Sequence, residues 1–319
     1  MTHAKYRHAL PQLGNEIFLT DGGIETTLIF HEGLELPHFA AFDLLRTPEG
    51  RAALQRYYAP YVALARRSRR GLVLEAPTWW SNPEWGETLG YGPEALDAAN
   101  RQAIEMLRAI RDAEETAATP MVVSGCIGPR GDGYAPDRHM SADEAEAYHG
   151  RQIGVFAAAG ADMITAITMT YIEEGLGVAR AARAAGMPVA ISFTVETDGR
   201  LRTGMSLGAA IEACDAATGG YPAYYMVNCA HPSHFRDVLG GEGWLGRIGG
   251  IRANASKMSH AELDEAPELD AGDPEELGRD YRALVRLLPN LRVLGGCCGT
   301  DHRHIEAISH ACADPAHVH

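Results

Sequence analysis

Leu291-Arg292-Val293-Leu294-Gly295-Gly296-Cys297-Cys298-Gly299-Thr300 carries an apolar run into two glycines and then sets two cysteines side by side. Neighbouring side chains on a strand point to opposite faces. Adjacent thiols therefore reach one point only where the strand ends and glycine lets the backbone bend. A second fragment, Met226-Val227-Asn228-Cys229, also places a cysteine at the end of an apolar run. Three thiols from two strand ends, with no obvious fourth ligand, would make an open zinc site of the catalytic kind.

Outward from these fragments, short apolar runs alternate with longer helical stretches. The strand candidates are 17–20, 72–75, 121–124, 163–168, 189–195, 224–228, 250–253 and 293–296. Between them, Thr47-Pro48-Glu49 and Asp273-Pro274-Glu275 put a capping residue before a first-turn proline, and Ser141-Ala142-Asp143-Glu144 fits a capping box. Eight strands alternating with helices predict a single (β/α)8 TIM barrel; an open doubly wound sheet is the competing architecture. No Pro/Ser/Gly linker divides the chain, so one domain over 1–319, with a core of about 16–312, is expected.

The polar and unusual residues follow the strands. Asp21-Gly22-Gly23 comes after the first, Glu75-Ala76-Pro77-Thr78-Trp79-Trp80 closes the second, and Gly125-Cys126-Ile127-Gly128-Pro129 follows the third. Cys229 follows the sixth, Asn254 the seventh, and Cys297-Cys298 the eighth. In a barrel all of these converge on the C-terminal rim, where such folds place their active sites.

Composition narrows the function. A formal net charge of -14 argues against nucleic acid or an anionic membrane as partner, and small molecules are the expected ligands. The N-terminus lacks a signal-peptide core and no segment offers about 18 uninterrupted apolar residues, so a cytoplasmic protein is expected. Six cysteines in 319 residues are read as metal ligands or buried thiols rather than disulfides, with Cys126, Cys214 and Cys312 as ordinary buried thiols. His302 and His304 are read as the start of a solvated helix.

From about Phe18 to Ile308 the chain resembles the homocysteine S-methyltransferase family, the zinc-dependent thiol methyltransferases. The resemblance rests on Thr20-Asp21-Gly22-Gly23, Glu75-Ala76-Pro77-Thr78-Trp79, Gly125-Cys126-Ile127-Gly128-Pro129, Val227-Asn228-Cys229, Ala253-Asn254-Ala255 and Gly295-Gly296-Cys297-Cys298-Gly299-Thr300. It implies a (β/α)8 barrel with Cys229, Cys297 and Cys298 as ligands of Zn2+. It also implies substrate contacts from Asp21, Gly22, Gly23, Glu75, Trp79, Thr168, Asn228 and Asn254. The chain stops soon after the eighth helix, which is similar to the shorter S-methylmethionine type rather than the betaine type.

The chemistry can be argued separately. Three thiolates on Zn2+ leave a net charge near -1, so a substrate thiol in the fourth position is deprotonated yet stays nucleophilic. No catalytic residue beyond the zinc site is then required. Trp79 and Trp80 offer aromatic faces to an onium donor, worth roughly 0.5 to 2 kcal/mol.

One position departs from the family pattern. Its fourth strand ends in Ala-Glu-Thr or Ala-Glu-Tyr, the glutamate holding the amino group of homocysteine, whereas here Ile167 occupies that place in Thr165-Ala166-Ile167-Thr168. The expected function is a zinc-dependent S-methyltransferase that takes a methyl group from a small onium donor to a thiol, most simply homocysteine in methionine biosynthesis. The alternatives are a methyltransferase for a thiol without the amino group, one fed by a methyl-carrier protein, or a non-catalytic zinc- or redox-sensing barrel.

Overall fold

The computed structural model describes residues 4–134, 138–241, 243–266 and 268–313. Eight parallel strands close in sequence order: β1 (Phe18–Leu19), β2 (Gly71–Glu75), β3 (Met121–Ile127), β4 (Met163–Met169), β5 (Val189–Phe193), β6 (Tyr224–Asn228), β7 (Ile248–Ala253) and β8 (Val293–Gly296). Phe18 pairs with Gly71 on one side and Val293 on the other, which seals the barrel. The doubly wound alternative is thereby excluded. Every strand position predicted from the sequence holds a strand, with ends shifted by up to three residues.

Helices fill the crossovers. The long ones are α1 (Pro48–Ser68), α3 (Pro93–Glu114), α4 (Ala142–Ala159), α5 (Ile172–Ala184), α6 (Leu207–Thr218), α9 (Pro274–Leu287) and α10 (His302–Ala311). Shorter α2 (Pro83–Thr88), α7 (Pro232–Phe235) and α8 (His260–Glu265) lie in the loops after β2, β6 and β7. The caps behave as their chemistry requires, because the first-turn N–H groups lack partners inside the helix. Thr47 accepts from Gly50 N, Asp273 from Glu275 N and Glu276 N, and Ser141 with Glu144 completes a capping box.

Strand periodicity sorts the side chains into two clusters. Leu19, Leu72, Leu74, Val123, Ile164, Ile191, Val227, Ile251 and Leu294 join the helices in the large outer core. Their neighbours Phe18, Val73, Val122, Met163, Ala190, Tyr224 and Val293 meet in a smaller inner cluster, with Leu10 packed against them. Further along, the same inward parity brings Thr20, Glu75, Ser124, Thr165, Ser192 and Arg252 from β1 to β5 and β7, all buried. The barrel is thus apolar where the strands begin and polar where they end.

Candidate active site

At the polar end lies a pocket whose wall includes Asp21, Gly22, Gly23, Glu25, Glu75, Trp79, Cys126, Tyr134, Ile167, Thr168, Arg252 and the three cysteines 229, 297 and 298. The sulfurs of Cys229, Cys297 and Cys298 all lie within 4.8 Å of one another. A tetrahedral zinc at a Zn–S distance of ~2.3 Å needs sulfurs about 3.8 Å apart, so the three-cysteine donor set suits such an ion once all three sulfurs are free thiols. The strand ends impose this convergence. Cys229 N donates to Arg252 O, Cys297 N to Ala253 O, and Ala255 N to Cys298 O, so β7 carries a cysteine segment on each flank. Cys229 itself takes the left-handed backbone at φ 53°, which turns it out of β6. Such a conformation costs a non-glycine residue about 1–3 kcal/mol and is held by the surrounding structure.

Cys229 and Cys297 are joined as a disulfide, while Cys298 is a free, exposed thiol. The expectation of no disulfide is corrected for this pair. The two Cα atoms are 5.4 Å apart, inside the range that a disulfide spans without backbone movement. Reduction returns the three-thiol set. Cys214 and Cys312 are buried thiols away from the pocket, as expected, but Cys126 lies in its wall.

The loop after β1 is fastened to the cysteine turn. Gly23 N donates to Thr300 O at 3.0 Å, and Gly299 N donates to Thr26 Oγ1, also at 3.0 Å. A Cβ on Gly23 would stand 2.7 Å from the Cys297 carbonyl oxygen, closer than any side chain can approach, so glycine is required there. Gly299 sits at φ 79°, the left-handed turn that lets the chain leave the cysteines for α10.

Below the thiols sits a charge cluster that sequence reasoning only half found. Arg252 Nη2 pairs with Asp21 Oδ1 at 2.8 Å, and the other Asp21 oxygen accepts from Tyr57 Oη at 2.7 Å. The guanidinium also donates to Gly296 O and Gly22 O. Burial opposes its charge, but Asp21 and Glu75 outweigh that and hold Arg252 above its ordinary pKa. Glu75 accepts from Thr165 Oγ1 at 2.8 Å through one oxygen, and among the described residues its other oxygen has no hydrogen-bond partner. Burial pushes its carboxyl up, moderated by Arg252. Glu25, absent from the sequence reading, lies in the wall beside these groups. Burial, with repulsion from Asp21, pushes its carboxyl up to about 7.

The remaining predicted contacts divide. Gly22, Gly23, Trp79 and Thr168 line the pocket with Asp21 and Glu75. Asn228 and Asn254 are buried outside its wall and brace backbone instead. Asn228 Oδ1 accepts from Thr168 N and Ser192 Oγ, and Asn254 Nδ2 donates to Cys229 O. Ile167 and Thr168 fall where the β4–β5 register shifts, and a bulge of this kind re-aims side chains toward a site. Ile167 faces the pocket. Trp79 stacks on Trp80 with ring centroids 3.8 Å apart, leaving Trp79 in the wall and Trp80 behind it. Tyr134 was not foreseen: its hydroxyl lies 3.8 Å from Cys298 Sγ and its ring packs on His260. His304 is buried rather than solvated, with Nε2 2.7 Å from Ala271 O, and lies outside the sulfur cluster.

A (β/α)8 barrel with a three-cysteine cluster at the C-terminal ends of its strands is the class defined by this fold and site. A family profile described as Homocysteine S-methyltransferase matches residues 18–312, and the chain belongs to that family of S-methyltransferases. Among solved structures it is similar to the homocysteine methyltransferase MmuM from Escherichia coli. The oxidized form of that protein is 19% identical, with a TM-score of 0.75, covering 96% of this chain and 99% of that one. The metallated form is 21% identical, with a TM-score of 0.70, covering 93% and 96%. At these identities the likeness establishes the fold. No curated protein matches the chain by sequence. Among the described residues no helix is long and apolar enough to cross a membrane.

Proposed function

We propose that the protein is a zinc-dependent S-methyltransferase of the cytoplasm that transfers a methyl group from a small onium donor to homocysteine, giving methionine. The observation that carries this reading is the convergence of the Cys229, Cys297 and Cys298 sulfurs within 4.8 Å in the pocket of a homocysteine S-methyltransferase family barrel. Metallated MmuM, a homocysteine methyltransferase, is in keeping with a metal here. The three reduced cysteines would hold the ion, which when bound supplies a positive centre that favours the thiolate form of the acceptor.

The chain's own residues supply the rest. The Gly22-Gly23 backbone lies close against the cysteine turn and leaves room for a substrate beside it. Trp79 and Tyr134 line the pocket with the thiols, and aromatic rings there suit an onium methyl group, whose charge an aromatic face attracts. The buried Arg252, Asp21 and Tyr57 network holds the ends of β1, β7 and β8 in register, which fixes where the cysteines stand. A second reading, an acceptor without an amino group, is favoured by Ile167, whose side chain in the pocket wall accepts no hydrogen bond.

The test is methyl transfer by reduced, zinc-loaded protein, with thiol acceptors screened against S-methylmethionine, betaine and S-adenosylmethionine. Methionine formed from homocysteine with one of these donors supports the reading. Turnover that persists unchanged after the metal is stripped overturns the zinc assignment, and no transfer to any thiol overturns the enzyme assignment.

A further inference from the structure

We infer that Glu25 is the residue that recognises the ammonium group of the acceptor, and so sets its specificity; this rests on the thiol methyltransferase reading above. Ile167 leaves its position at the end of β4 without a carboxylate, so a charged partner for the positive group of an amino-acid thiol must come from elsewhere in the wall. Among the described residues three carboxyl groups line that wall, Asp21, Glu25 and Glu75, against one guanidinium, that of Arg252. Acidic groups thus outnumber cations in that wall, which suits a positively charged ligand group.

The three carboxylates are not equivalent. Asp21 has both oxygens engaged, one by Arg252 at 2.8 Å and one by Tyr57 at 2.7 Å, so its charge is already balanced. Glu75 is 4% exposed, sits one layer deeper inside the barrel, and is bonded to Thr165. Glu25 is partly exposed, and among the described residues no basic side chain forms an ion pair with it.

Its position is fixed from both sides. Gly23 and Thr26, which flank it, are hydrogen-bonded to Thr300 and Gly299 respectively, so Glu25 is clamped beside the Cys297-Cys298 turn. From Thr26 to His31 the chain coils in a π-helical turn, with Glu32 N reaching back five residues to Thr27 O. Such turns are rare and occur frequently at functional sites. A thiol held at the cysteines, carrying an amino group three carbons from its sulfur, brings that group within reach of this wall.

The experiment is calorimetric titration of reduced, zinc-loaded protein with homocysteine and with its desamino counterpart 4-mercaptobutyrate, on the natural protein, Glu25→Gln and Glu25→Asp. The natural protein should bind homocysteine at least tenfold more tightly. Glu25→Gln should bring that ratio close to one, and Glu25→Asp, which keeps the charge, should retain most of it and show that the fold tolerates substitution. No preference in the natural protein, or a preference that survives Glu25→Gln, overturns the assignment. A methyl-transfer assay run beside it separates the two claims: binding preference without transfer leaves Glu25 as the ammonium contact and sinks the enzymatic reading.

Discussion

Arg252 on β7 reaches past β8 to pair with Asp21 after β1 at 2.8 Å, with both side chains about 7% exposed. Breaking a buried pair from one side strands the other charge, at about 3–5 kcal/mol. Arg252→Met should therefore unfold at markedly lower urea concentration than the natural protein. The double variant Arg252→Met with Asp21→Asn should recover part of that loss, since the orphaned carboxylate is gone. A double variant as unstable as the sum of the two single ones would show that the pair is not coupled.

For the cysteines, the expected content of the reduced protein is about one zinc per chain. Alanine at Cys229, Cys297 or Cys298 should remove most of the metal as read by elemental analysis. Because the barrel has a large apolar core of its own, chelation should leave the far-UV circular dichroism unchanged. Full zinc retention in Cys297→Ala would refute the ligand set.

Thr165 Oγ1 donates to one oxygen of Glu75, which is 4% exposed at the end of β2. Thr165→Val keeps the shape and deletes the donor. The cost should be about 1–3 kcal/mol, the penalty for leaving a buried polar group without its partner, measured by chemical denaturation. Thr165→Ser, which keeps the hydroxyl, should cost less.

The start of α10 sets a pH dependence. Burial opposes ionisation of Asp301, but contacts from His304 and the Arg303 fork outweigh it and hold its carboxyl well below the usual range. A folded value below the unfolded one of about 3.9 stabilises the protein above that pH, and the contribution is lost as the pH falls further. Asp301→Asn should thus lower the melting temperature at pH 7, by an amount equivalent to about 1 kcal/mol for a weakened cap. The gap should shrink below about pH 4. A gap that widens in acid would contradict the assignment.

Much of this arrangement was legible before any coordinates. The alternation of short apolar runs with capped helices gave eight strands, and the placement of Asp21, Glu75 and the cysteines after those runs put them at one rim. Arg252 was missed although it carried a signal, a lone cation inside the apolar, glycine-rich run Gly249-Gly250-Ile251-Arg252-Ala253. Glu25 carried none, because its place depends on hydrogen bonds to residues more than 270 positions away in the chain. Asn228 and Asn254 show the opposite limit. A polar residue at a strand end serves a ligand or the unpaired backbone of the turn equally well in sequence, and only packing decides, here for the backbone.

Cys229 is synthesised 68 residues before Cys297, and β8 finds its place only by docking between β7 and β1. The three sulfurs therefore meet in the same event that seals the barrel. A chain ending short of that strand carries only Cys229 of the three and has no such chelating set to offer. On the zinc reading proposed above, the metal is taken up only once the ring is shut, so a copy lacking β8 stays inert instead of sequestering ions.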